Sequence, residues 1–301
     1  MVSERRAEGA GYRTTGFVFA ALGALGFSFK AILVKAAYRY GVDPETLLCL
    51  RMGYAFPVLV LMGVMLQRRE PLALRRTDWL ELLLLGVLGY YLASYLDFLG
   101  LHYISAALER IVLFVYPTLV VLLSAICLGK RLTRRTVLLL LTSYAGVALA
   151  VAPDLRFGAG NTVLGGLLVL GSALSFAIYI MRSGVVVLRL GSTRVTAYAT
   201  AIACVLCVLQ FVVLRPLSAL VLPWQVHALS VAMALFSTVL PIWLVTEAIR
   251  RLGAPTASMF GSLGPIFTIL LAWALLGEPL DPVQPAGAAV VIIAVSALTR
   301  R

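Results

Sequence analysis

The sequence predicts an all-α polytopic membrane protein with ten transmembrane helices. They form two inverted five-helix repeats, with both termini in the cytoplasm. Three observations carry this. Hydrophobic residues fill 61% of the 301 positions and charged residues only 13%, about half the charged share of a soluble domain; lipid must therefore solvate much of the surface. The apolar residues fall into ten runs, most of them near the ~20 residues that cross a bilayer. Finally, residues 104–132, ISAALERIVLFVYPTLVVLLSAICLGKRL, are echoed at 252–280 by LGAPTASMFGSLGPIFTILLAWALLGEPL, at a constant offset of 148.

Taken in order, residues 1–14 form a polar cytoplasmic tail with Arg5, Arg6 and Arg13. The first repeat covers 15–151, with spans near 15–37, 45–67, 77–99, 103–128 and 133–151. The second covers 162–299, with spans near 162–182, 194–214, 225–249, 254–276 and 282–299. With the N-terminus inside, the cytoplasmic segments hold eighteen Lys and Arg, and the outer loops hold three, Arg39, Arg156 and Arg215. That asymmetry fixes the orientation expected in a cytoplasmic (inner) membrane.

Five spans per half is an odd number, so the halves insert upside down relative to each other, as in inverted-repeat transporters. The matched ends agree. LGKRL continues into Thr133, Arg134 and Arg135 and is basic; LGEPL continues into Asp281 and Pro282 and is acidic. In register, Ala106 falls on Ala254, Pro117 on Pro265, Gly129 on Gly277 and Leu132 on Leu280. The prolines and glycines weigh most here, because each constrains backbone geometry.

These residues resemble the drug/metabolite transporter superfamily, and its EamA branch in particular. The likeness rests on Tyr103-Ile104-Ser105-Ala106-Ala107, Pro117 and Leu128-Gly129-Lys130-Arg131-Leu132. In the second half it rests on Leu252-Gly253-Ala254, Pro265 and Leu276-Gly277-Glu278-Pro279-Leu280. Glu278 fits the acidic residue usual after the LG, and Lys130 departs from it. The resemblance implies a helix bundle with a central cavity that exports small metabolites by alternating access. Amino acids, aromatic ones among them, come first; drugs, quaternary cations or nucleotide-type metabolites are the alternative cargo. No cofactor or metal is expected, and the only partners implied are a small-molecule substrate and the bilayer.

Ionisable residues inside spans carry the chemical signal, because each costs about 2.5–3.5 kcal/mol at a helix centre and therefore tends to face a partner or water. Lys30, Arg51, Asp97, Glu109 and Arg110 all fall in the outer half of the bundle. A zwitterion needs a cation for its carboxylate and an acceptor for its ammonium. Lys30 and Arg51 are candidates for the first, and Asp97 and Glu109 for the second and for proton coupling. The competing structural expectation pairs Asp97 with Lys30 and Glu109 with Arg51. Tyr90, Ser94 and Asp97 follow i, i+4, i+7 and share a helix face. Tyr90, Tyr179 and Trp243 would wall an aromatic substrate. Glu247, beside Arg250 and Arg251, reads as an interfacial ion pair. Pro117, Pro265, Gly261 and Gly264 are candidate hinges, since proline removes a backbone bond and small residues let helices approach closely.

Other classes lack their residues. No GxxxxGK[ST] or HExxH is present, and Asp97 has no second intramembrane aspartate for an aspartyl protease. No basic-aromatic nucleic-acid module and no ring of like charges for a channel is visible. Cys204 and Cys207 form a CxxC within an unbroken apolar run and, like Cys49 and Cys127, read as packing residues. Oligomeric state is not encoded in these patterns.

Overall fold

The computed structural model describes residues 2–128, 133–157, 161–252, 263–278 and 282–299. Gly261 and the Lys130 junction lie outside the described residues. The helices are α1 (Val2–Tyr38), α2 (Pro44–Arg69), α3 (Arg76–Tyr103), α4 (Ala106–Leu113), α5 (Tyr116–Leu128) and α6 (Arg134–Phe157). They continue with α7 (Thr162–Leu190), α8 (Ser192–Leu214), α9 (Trp224–Leu252), α10 (Gly264–Leu276) and α11 (Val283–Thr299). Among the described residues, seven helical stretches are long and apolar enough to cross a membrane, and α10 and Val283–Ala294 are shorter apolar helices. Leu61, Leu80, Leu141, Leu167, Val213 and Ile293 point outward, as a chain solvated by hydrocarbon requires.

Local chemistry sets the boundaries. Asp43 caps α2, accepting from the Thr46 N–H at 2.9 Å and the Thr46 hydroxyl at 2.7 Å, and Pro44 follows where its missing N–H costs nothing. Gly41 turns the chain out of α1 with φ of 76°, a conformation open to glycine. Pro117 behaves as a break: α4 ends at Leu113, whose carbonyl Pro117 cannot serve. The Thr118 hydroxyl then donates to Val115 O at 2.7 Å as α5 begins.

Contacts sort the helix ends onto two faces. On one, Arg182 pairs with Glu81, Arg189 with Asp78, and Arg251 stacks 4.6 Å from the Tyr12 ring centroid. On the other, Arg39 donates to Leu276 O, and Arg215 reaches Asp43 at 3.4 Å and Glu45 at 3.1 Å. There too Glu278 accepts from the Ala106 N–H at 3.1 Å. Thus α4 starts where α10 ends, so these corresponding segments run in opposite directions.

Two features of the bundle are not predicted by the apolar pattern. Helix α3 contains a π turn at Val87–Leu92, and α9 contains one at Leu235–Val239. They begin 148 positions apart, the offset of the duplicated stretch. Close packing also occurs elsewhere than the small-residue stripes predict. A Cβ on Gly86 would come 2.5 Å from Ala199 O, and one on Gly287 would come 2.7 Å from Gly146 O, bringing α3 against α8 and α11 against α6.

Candidate functional site

Lys30 reaches across from α1 to two carboxylates. Its ammonium donates to Asp97 Oδ2 on α3, and to Glu109 Oε1 on α4 at 3.3 Å. Lys30 is 8% exposed, Asp97 2% and Glu109 0%, with Arg51 close by at 4%. The charges are therefore enclosed in this conformation. Asp97 Oδ1 and Glu109 Oε2 are buried without hydrogen-bond partners among the described residues.

Arg51 does not pair with Glu109, contrary to the second half of the structural expectation; among the described residues it has no carboxylate partner. Its Nε donates to Thr238 Oγ1 on α9 at 2.7 Å, and its guanidinium carbon lies 5.2 Å from the Phe98 ring centroid. Nη1 is buried without a partner among the described residues. Among the described residues Lys30 pairs with two carboxylates and Arg51 with none; counting Arg110 on α4, the cluster holds three basic and two acidic side chains, unevenly paired.

Helix α10 closes the site on one side. The Ser28 hydroxyl, two residues before Lys30, lies 2.9 Å from Ala24 O and 3.2 Å from Gly264 O, donating toward both. The Thr268 hydroxyl donates to Ser28 O at 3.4 Å. Gly264 faces the Arg110 guanidinium: a Cβ would sit 2.8 Å from Arg110 Nη2, the far end of a flexible side chain. Pro265 follows in the same turn and is buried.

The aromatic residues divide. Tyr90 and Tyr179 meet through hydroxyls 2.5 Å apart, with ring centroids 5.0 Å apart. Tyr179 stacks on Phe176 at 5.4 Å, and Phe176 meets Tyr116 edge-on at 5.2 Å. Trp243 lies apart from this row, 5.7 Å from Phe19; Phe19 also faces Arg251 at 5.0 Å. Ser94 is half-buried and joins neither group. The π turn explains its separation from Tyr90, because the intervening turn is not α-helical and the i, i+4, i+7 face is broken. Glu247 binds Arg250 and Arg251 at 2.8 Å each, the ion pair that the spacing predicts.

Sequence reasoning did not single out Thr238. The repeat could have found it, since Thr238 lies 148 positions after Tyr90. The Phe98–Arg51 contact has no comparable sequence signal.

The EamA-like transporter family profile matches twice, over residues 14–152 and 163–300. The chain belongs to the EamA-like transporter family. Among relatives of this transporter, the uncharacterized transporter YcbK of Bacillus subtilis is 28% identical over 298 residues, covering 95% of this chain and 93% of the relative. A Chlamydia trachomatis protein named as an S-adenosylmethionine/S-adenosylhomocysteine transporter is 28% identical over 240 residues, covering 74% of this chain and 71% of its own. A crystal structure with 18% identity matches with a TM-score of 0.65 over 96% of this chain and 98% of that one, a likeness of fold. The family resemblance read from the LGEPL and Pro265 segment is thus the membership found, and the protein is a carrier and no enzyme.

In this EamA-like transporter the buried charges define two unlike ends. One offers carboxylate oxygens, two of them unused, that can accept from a substrate ammonium. The other offers an uncommitted guanidinium edge, which suits a carboxylate.

Proposed function

We propose that this EamA-like carrier exports zwitterionic amino acids, aromatic ones included, across the cytoplasmic membrane by alternating access. It uses ten spans in two inverted halves and keeps both termini inside. The observation that supports this reading is the uneven pairing: Lys30 pairs with Asp97 and Glu109, while Arg51 pairs with no carboxylate among the described residues. A buried guanidinium with no carboxylate in salt-bridge contact is costly, and an arriving carboxylate offsets that cost. The substrate ammonium in turn takes up the spare acceptors on Asp97 and Glu109. A proton leaving or joining Glu109 as the ammonium comes and goes would couple export to the proton gradient. The row of Tyr90, Tyr179, Phe176 and Tyr116 accommodates the side chain.

A second cargo is favoured by the Chlamydia relatives, named for S-adenosylmethionine and S-adenosylhomocysteine. Both compounds end in an amino-acid zwitterion, so the same charged anchors would serve them.

The test is counterflow in proteoliposomes with single amino acids and S-adenosylmethionine, with and without a pH gradient. Saturable exchange that Arg51→Met abolishes for carboxylated substrates is expected, together with a loss of gradient response in Glu109→Gln. Full amino-acid exchange by Arg51→Met would remove the carboxylate anchor. Unaltered pH response in Glu109→Gln would remove the coupling role.

A further inference from the structure

We propose that Thr238 is the positioning residue that orients Arg51 toward the substrate carboxylate, and that the π turn at Leu235–Val239 delivers it there. The inference rests on the reading of Arg51 as the carboxylate anchor.

The geometry fixes the guanidinium on two sides. A guanidinium presents its donors in a rigid planar fork. Thr238 Oγ1 holds the Nε corner at 2.7 Å, and the Phe98 ring lies 5.2 Å from the central carbon. Nη1 is left as a buried donor with no partner among the described residues. The direction of the Thr238 bond is also determined. Its single hydroxyl proton goes to Met233 O, five residues back at 2.9 Å, so a lone pair faces Arg51.

The backbone supplies the reason that Thr238 is there. Successive residues on an α-helix are separated by about 100°, and a π turn inserts an additional residue. Without the insertion Thr238 would project from a different face of α9. The other half uses the same device. The π turn at Val87–Leu92 carries Tyr90, the register equivalent of Thr238, and its hydroxyl meets Tyr179. Each half thus projects a hydroxyl from a π turn into the interior, one onto the cation and one onto the aromatic row.

A purely structural role for Thr238 predicts something else, and transport kinetics separate the two. Wild-type protein, Thr238→Val, Thr238→Ser and Arg51→Met are reconstituted in proteoliposomes. KM is measured for amino acids paired with their decarboxylated amines, phenylalanine with phenethylamine and tryptophan with tryptamine. Thr238→Val, nearly isosteric, is expected to raise KM for the amino acids on the order of tenfold, the scale of a hydrogen bond to a charged group. It should leave KM for the amines unchanged, and Thr238→Ser should restore wild-type values. Thr238→Ala provides the same reading if Thr238→Val fails to insert. Equal shifts for acid and amine, or no shift for either, would overturn the assignment of Thr238. Should Arg51→Met discriminate acid from amine while Thr238→Val does not, Thr238 alone is refuted. If Arg51→Met makes no distinction, the anchor reading fails and this assignment fails with it. Wild-type vesicles that exchange neither pair would overturn both.

Discussion

Replacing Lys30 by Met removes the cation paired with both Asp97 and Glu109. The change keeps a flexible apolar stem of similar volume, so the packing term is small. What remains is a pair of carboxylates 2% and 0% exposed, two of whose oxygens already lack partners. Deleting one member of a buried ion pair costs about 3–5 kcal/mol, because the other charge is stranded. At roughly 2–4 °C per kcal/mol for a chain of this order of size, the melting temperature should fall by on the order of 10 °C. Thermal unfolding of purified protein in detergent measures this directly. Lowering the pH should narrow the gap, since a protonated carboxyl needs no counter-ion. Adding Asp97→Asn and Glu109→Gln should recover most of the loss for the same reason. A Lys30→Met protein that melts with the wild type at neutral pH would refute the idea that Lys30 neutralises the two carboxylates.

Other expectations follow from the same geometry. Gly86→Ala should destabilise by about 1–3 kcal/mol through overpacking against Ala199 O. Gly53→Ala, where a Cβ meets nothing within 4 Å, should instead stabilise by about 0.5–1 kcal/mol; a denaturation series compares them, and the reverse order would contradict the packing described. Burial raises the Asp43 carboxyl, but bonds from Thr46 and the charge of Arg215 outweigh it and hold the group below its usual range. A carboxyl lowered in the folded state stabilises above its unfolded value, near 3.9, and loses that contribution as pH falls through the folded one. Asp43→Ala should therefore cost about 1 kcal/mol at neutral pH and progressively less below about pH 4, read from melting temperature against pH. Single cysteines at Lys130 and Glu278, in a background lacking Cys49, Cys127, Cys204 and Cys207, should react with impermeant thiol reagents from opposite sides. Labelling from one side would contradict the inverted halves.

Much of the site was legible in the sequence because charge inside an apolar run is rare and expensive. Lys30, Arg51, Asp97 and Glu109 stand out on that ground, and the structure brings them together. Their partners were not legible. Periodicity relates residues on one helix, whereas Lys30–Glu109 and Arg51–Thr238 join helices 79 and 187 positions apart. The face that combined Tyr90, Ser94 and Asp97 assumed an uninterrupted α-helix, and the π turn in α3 breaks that assumption. Trp243 has the composition of a binding-site aromatic, yet α9 turns it toward Phe19.

The residues by themselves determined the solvent, the helical class, the offset of 148 between copies and the set of charges that must be accounted for. Those follow from transfer free energies and from the backbone limits of proline and glycine, which act locally. Tertiary structure decided which carboxylates Lys30 serves, that Arg51 pairs with none among the described residues, and where the π turns of α3 and α9 fall. These depend on which helices touch and at what rotation, quantities set by the packing of the whole bundle and by no single stretch of it.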